Sequence, residues 1–129
     1  MAPKHAIMKR TIMIIEDNND IRENTAELLE LEGFDVLTAE NGAEALEVIA
    51  ARVPDMIICD ILMPKMDGYH TLEALRKNKQ TAGLPFIFIT AKSERWELEK
   101  AYALGITNYL IKPFDEAELL FTIHRCLNS

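Results

Sequence analysis

The chain has only two cysteines, Cys59 and Cys126. Two do not make a disulfide scaffold. One sits in an apolar run and the other in a helical pattern, so both read as buried thiols of a reducing cytoplasm. No apolar stretch approaches the ~18 residues of a membrane span. The first ten residues carry charge, and Thr11–Ile15 after them runs straight into acids, so no signal-peptide apolar region with a cleavage site is present. Basic residues are few: 14 Lys+Arg stand against 21 Asp+Glu, a formal net charge of -7. Phosphate contacts need a basic face, so the domain reads as a poor nucleic-acid binder, and the same deficit disfavours anionic lipid. The three histidines (His5, His70 and His124) are scattered without metal-ligand spacing.

What is present is ordinary for one globular domain. The length is 129 residues, with 49% hydrophobic and 27% charged. A chain of that size buries about two-thirds of the surface it exposes when unfolded, so a real core forms. Residues 1–8 read as a loose extension, with Met8 an alternative start. No linker or low-complexity tract divides the rest. Short apolar runs alternate with helical patterns five times.

The runs Thr11–Ile15, Met56–Cys59 and Phe86–Thr90 are apolar on both parities, as strands buried on both faces of a parallel sheet must be. The mixed run Phe34–Ala39 suits one edge, and the short Asn108–Ile111 the other. The first helix carries Ile21, Thr25, Leu28, Leu29 and Glu32 at a 3.6 period, and Gly33 ends it. Ala43, Leu46, Ile49 and Ala50 mark the second, which Pro54 cannot continue. Leu72 and Leu75 mark the third, with Arg76, Lys77 and Lys79 at its negative end. Trp96, Ala101, Tyr102 and Leu104 mark the fourth, closed by Gly105. The fifth spans about Asp115 to Leu127, with Leu119, Leu120, Ile123 and Leu127 inward and Asp115 with Glu118 as a capping box. Strict strand–helix alternation predicts right-handed crossovers and an α/β sheet covered on both faces.

Ligands of such sheets bind at the carboxyl ends of the strands. There the first run ends in Glu16-Asp17, the third in Asp60 and the fourth in Thr90, and Lys112-Pro113 follows the fifth. Crowded carboxylates ionise together only beside a cation, and Asp17 with Asp60, a carbonyl and waters is an oxygen set that Mg2+ accepts. Metal, lysine and hydroxyl together suit a transferring phosphoryl group, with Asp60 free to attack phosphorus and form an acyl phosphate. Each residue also has a plainer reading. Glu16 to Asp20 is a polar turn with a helix cap, Thr90 a strand-end threonine, and Lys112 part of a turn. Asp60 resists that treatment, because an acid among mostly apolar neighbours is costly without a partner. Their joint occurrence at four strand ends favours chemistry.

These residues and motifs resemble the receiver domains of two-component response regulators, the fold of the chemotaxis response regulator. The motifs are Ile14-Ile-Glu-Asp17, Asp60-Ile-Leu-Met-Pro64 with Met66-Asp-Gly68, Ile89-Thr-Ala91 and Tyr109-Leu-Ile-Lys-Pro-Phe114. The resemblance covers about Lys9 to Leu127, and the domain is taken as 9–129. It implies a single three-layer (βα)5 domain with a parallel five-stranded sheet in flavodoxin-like order 2-1-3-4-5. It implies Asp60 as phosphoacceptor, Asp17 as direct Mg2+ ligand, Glu16 acting mostly through water, and the backbone carbonyl of Leu62 as a further ligand. Thr90, helped by the Ala91 N–H, and Lys112 would each meet a phosphoryl oxygen. Tyr109 would swing inward as Thr90 moves, and the Lys112–Pro113 bond would be cis. Positions 62 and 92, here Leu62 and Lys92, tune dephosphorylation in the family. An apolar Leu62 cannot orient water, which implies slow self-dephosphorylation. Glu16 stands where the family often has Asp, and its longer arm still reaches.

The implied protein is a signalling switch rather than an enzyme. Its partners would be a sensor histidine kinase or histidine phosphotransfer protein and an unknown downstream protein target, with no nucleic acid or membrane. Phosphorylation would bias the face made by the fourth helix, fifth strand and fifth helix, which carries output or a homodimer contact. On that face Tyr102 reads as ordinary packing, and Trp96 as either packing or contact. Three other readings each lack a residue pattern they need. A haloacid-dehalogenase-type phosphohydrolase needs a second Asp at position 62. Nucleotide-binding Rossmann and P-loop folds need glycine motifs, and the five glycines, at 33, 42, 68, 83 and 105, are dispersed. A flavodoxin-like FMN carrier would set phosphate against the first strand's acids. The remaining alternative is a degenerate receiver that docks partners without being phosphorylated. The simplest expectation for the chain is a stand-alone regulator or phosphorelay intermediate.

Overall fold

The computed structural model describes residues 9–128. The expected extension at 1–8, with His5 and Met8, lies outside them. Five strands alternate with five helices: β1 Thr11–Ile15, α1 Asn19–Leu31, β2 Asp35–Ala39, α2 Gly42–Ala51, β3 Met56–Asp60, α3 Gly68–Arg76, β4 Phe86–Ala91, α4 Leu98–Ala103, β5 Tyr109–Lys112 and α5 Glu116–Leu127. All strands pair in parallel, in the order β2-β1-β3-β4-β5. The flavodoxin-like order implied by the resemblance is the order observed, with β2 and β5 at the edges.

The period of two along each strand divides the core into two slabs. Met13, Ile15, Ile57, Cys59, Phe86 and Phe88 point to one face and pack on Ala45 and Ile49 of α2, Leu72 and Leu75 of α3, and Leu98 and Ala101 of α4. Ile12, Ile14, Met56, Ile58, Ile87 and Ile89 point to the other, against Leu29 of α1 and Leu119, Ile123 and Cys126 of α5. Both cysteines are buried, as expected.

Side-chain caps start four helices where the sequence changes from loop to periodic pattern. Asn18, Asn41, Asp67 and Asp115 each accept a hydrogen bond from the backbone N–H three residues on. Asp115 and Glu118 close the expected capping box. Gly33 (φ 99°) and Gly105 (φ 85°) follow α1 and α4 in the left-handed region that favours glycine.

Three expectations change. In α2 the buried residues are Gly42, Ala45 and Ile49, and Ala43 and Ala50 are exposed. The helix is turned because Gly42 is pressed against Met66 and Thr71, with no room for a Cβ. The fourth helix is not one α-helix. Lys92–Glu97 is a 3-10 segment kinked at Glu94 (φ -115°, ψ 21°), and only Leu98–Ala103 is α. Tyr102 is 52% exposed rather than packed inward, because so short a helix buries little beyond Leu98 and Ala101.

Candidate functional site

Parallel registry brings the strand ends to one lip. Ile15 of β1 faces Cys59 of β3, so the next residues, Glu16 and Asp60, stand side by side. Asp60 in turn faces Ile89, and Ala91 faces Lys112. Glu16, Asp60 and Lys112 share the parity that points toward α1 and α5. Thr90 and Tyr109 share the parity that points toward α4.

Lys112 joins the acids. Its Nζ lies 2.9 Å from Asp60 Oδ2 and 2.8 Å from Glu16 Oε1. The bond to Asp60 is a well-formed hydrogen bond. The approach to Glu16 Oε1 is an ion pair rather than a hydrogen bond, and that buried oxygen has no hydrogen-bond partner among the described residues. Glu16 Oε2 accepts from the Asn18 N–H at 3.1 Å, and Arg22 Nη1 donates to the Glu16 carbonyl at 2.8 Å. The acidic turn therefore does both things the sequence allowed: Asn18 caps α1 while Glu16 enters the lip. The Lys112–Pro113 bond is cis.

Burial and charge shape the lip. Burial pushes the Asp60 carboxyl up from 3.8 to about 7, and the Glu16 charge adds to it, against the pull of Lys112. Burial acts upward on Glu16 as well, but the Lys112 ammonium beside it and the Asn18 N–H outweigh it and hold its carboxyl low. Burial and the neighbouring Glu16 raise Asp17. Burial disfavours the Lys112 ammonium, yet Glu16 and Asp60 together raise its pKa. Glu16, Asp17 and Asp60 each offer an oxygen, and these lie within 4.8 Å of one another. Three ionised carboxyls beside one ammonium leave an excess of two negative charges. A hard divalent cation fits that set, and the Glu16 oxygen that lacks a hydrogen bond is a further donor at its edge.

Thr90 is buried, but its hydroxyl does not face Asp60. It donates to the Glu94 carbonyl at 3.2 Å, with a longer contact to the Ala91 carbonyl at 3.4 Å. Tyr109 is half-buried with its ring edge-on to Tyr102, centroids 6.4 Å apart. Trp96 is 61% exposed and Leu62 42% exposed. The side chain of Lys92 lies outside the described residues. Sequence reading missed Arg22, whose contact runs to a backbone carbonyl, and Gly68. Gly68 lies so close to β3 that a Cβ there would stand 2.7 Å from the Asp60 carbonyl. The motif Met66-Asp-Gly68 carried that signal.

The response regulator receiver domain family matches residues 12–124, and the chain belongs to it. It is a receiver of two-component signalling, a signalling switch. Among curated relatives it is 39% identical over 120 residues to the probable transcriptional regulator ycf29 of Pyropia yezoensis, covering 93% of this chain and 54% of the relative. It is 38% identical over 112 residues to protein PilG of Pseudomonas aeruginosa, covering 87% of this chain and 83% of the relative. The chain spans about half the length of most of the curated relatives it matches. Among solved structures it resembles the receiver domain of sensor histidine kinase PA1611 from Pseudomonas aeruginosa PAO1, which has a magnesium ion coordinated in its active-site cleft. That likeness has 27% identity and a TM-score of 0.85, over 95% of this chain and all of that one.

Proposed function

We propose that this receiver, taken as residues 9–129, accepts a phosphoryl group on Asp60 from a phosphohistidine donor and thereby switches the face made by α4, β5 and α5. The observation that carries the reading is the buried Asp60 carboxyl, bonded to Lys112 at 2.9 Å and flanked by Glu16 and Asp17. An Asp60 oxygen attacks phosphorus as the P–N bond to the donor imidazole breaks, leaving an acyl phosphate on this chain and a free imidazole on the donor. Lys112 is placed to follow an oxygen of the transferred group and balance its charge. Asp17, Asp60 and the Leu62 carbonyl would hold Mg2+, with Glu16 acting through water. The ion supplies charge compensation for the phosphoryl oxygens. The magnesium in the cleft of the PA1611 receiver supports that choice. Thr90 then leaves the Glu94 carbonyl for a phosphoryl oxygen, beside the Ala91 N–H, and Tyr109 follows inward.

The donor would be a sensor histidine kinase or histidine phosphotransfer protein, acting in the cytoplasm. A groove of about 260 Å3 beside Lys112, lined by Ile21, Thr25, Pro113 and Phe114, supports its docking there. The exposed Trp96, Tyr102 and Phe121 support a downstream protein or second copy on the output face. Incubation with acetyl phosphate and Mg2+ tests the reading. Intact mass should show one added, hydroxylamine-labile phosphoryl group, lost in Asp60→Asn and with chelator. An unmodified Asp60 would instead support a docking module that works without phosphorylation.

A further inference from the structure

The segment Lys92–Glu97 is held from outside at two points, its kink and its last residue. Thr90 donates to the Glu94 carbonyl at 3.2 Å, and the Tyr69 hydroxyl donates to the Glu97 carbonyl. The first hold is the one that phosphorylation is proposed to release. The second has no part in that reading. Tyr69 directly follows Gly68, which is jammed against the Asp60 backbone and donates its N–H to the Ile61 carbonyl at 2.7 Å. The Tyr69 ring packs edge-on against Phe88 of β4, centroids 5.3 Å apart. One residue thus ties the phosphoacceptor strand, β4 and the kinked segment together.

The other end of the tie is under load. Glu97 is 3% exposed, and its Oε1 has no hydrogen-bond partner among the described residues. Lys100 Nζ comes only to 3.5 Å of that oxygen, and it also lies over the rings of Tyr69 and Trp96 at 5.6 and 5.7 Å. A buried carboxyl oxygen without a hydrogen bond is unfavourable, and any rearrangement that exposes it to water recovers that loss. The helix that follows has no side-chain cap of its own to resist such a move.

We infer that Tyr69 is a positioning residue for the switch: its bond to the Glu97 carbonyl latches the 3-10 segment in the resting arrangement, against the outward bias of the buried Glu97 carboxyl. The inference rests on the proposed phosphoryl reading for its trigger but not for the latch itself. The two residues act with opposite sign. Tyr69→Phe frees the segment and favours the switched arrangement. Glu97→Leu removes the buried oxygen that lacks a hydrogen bond and favours the resting one.

Trp96, the single tryptophan, sits on the segment and reports its arrangement. Trp96 emission is titrated with beryllofluoride and Mg2+, a mimic of the bound phosphoryl group, in parent and both variants. Loss of one such hydrogen bond should lower the Tyr69→Phe midpoint about three- to tenfold, and Glu97→Leu should raise it. Hydrogen exchange of the amides in 92–101, without any mimic, should quicken by a similar factor in Tyr69→Phe, with thermal melts confirming that each variant folds. A Tyr69→Phe protein with parental exchange overturns the latch. If exchange quickens but even the parent ignores beryllofluoride, the latch stands and the phosphoryl reading fails.

Discussion

The β3–α3 and β4–α4 junctions do opposite things with similar lengths of chain. Beyond Asp60 the backbone is locked. Gly68 has Asp60, Ile61 and Phe88 atoms at or within 3.0 Å of where a Cβ would stand, Gly42 touches the same loop through Met66, and Asp67 caps α3. Beyond Thr90 the chain is loosely made: a kinked 3-10 segment, an uncapped α4, an exposed Trp96, and two hydroxyl bonds into its carbonyls. A group that must meet phosphorus in line needs the first kind of junction, and an element that reports the event needs the second.

The sharpest way to break this contrast is to place an alanine in each junction. Gly68→Ala should cost about 2–3 kcal/mol by urea unfolding, because backbone atoms meet the new Cβ. Ser93→Ala, on the exposed segment, should stay within about 0.5 kcal/mol of the parent. Comparable losses in the two variants would remove the distinction.

Electrostatics gives the next effect. Folding raises the Asp60 carboxyl from 3.8 to about 7, so the folded protein binds a proton that the unfolded chain releases between those values. Its contribution is therefore favourable below pH 4 and is lost as pH rises to 7. The lowered Glu16 works the other way, its contribution fading as acid protonates it. Asp60→Asn, melted in chelator, should gain about 3–6 °C at pH 8 and much less at pH 5. Mg2+ should raise the parent melting temperature at pH 8 and leave the variant unmoved. Equal gains at the two pH values would contradict this account of the lip. The smallest effect concerns Leu62, at the mouth of the rigid junction. Leu62→Asn adds a group able to orient water and should speed loss of the acyl phosphate about threefold, followed by intact mass. An unchanged lifetime would show that Leu62 does not set it.

Most of this arrangement was legible in the residues themselves. Apolar runs on both parities marked buried parallel strands, and acids at the ends of two of them marked the lip. The Asp115–Glu118 box and Gly33 marked helix ends. What escaped reading has a common cause. A 3-10 and an α-helix differ in hydrogen-bond offset, and over the six residues from Lys92 to Glu97 the hydrophobic pattern does not separate them. Tyr102 looked inward by period, but a helix of six residues covers too little sheet to bury it. The Tyr69–Glu97 bond joins a side chain to a backbone carbonyl 28 residues away, which no local pattern encodes. The direction of the Thr90 hydroxyl is a rotamer choice, invisible in a one-letter code.

Alternation along the strands makes the sheet a partition. Glu16, Asp60 and Lys112 belong to the compartment roofed by α1 and α5, and Thr90 and Tyr109 to the one roofed by α4. A slip of a single residue in β4 would exchange its tenants, turning the threonine toward the acids' side and cutting it from the segment it holds. The wiring of the molecule therefore lies in strand register as much as in residue identity. A graft of the same side chains onto a sheet of different stagger would keep the ingredients and lose the circuit.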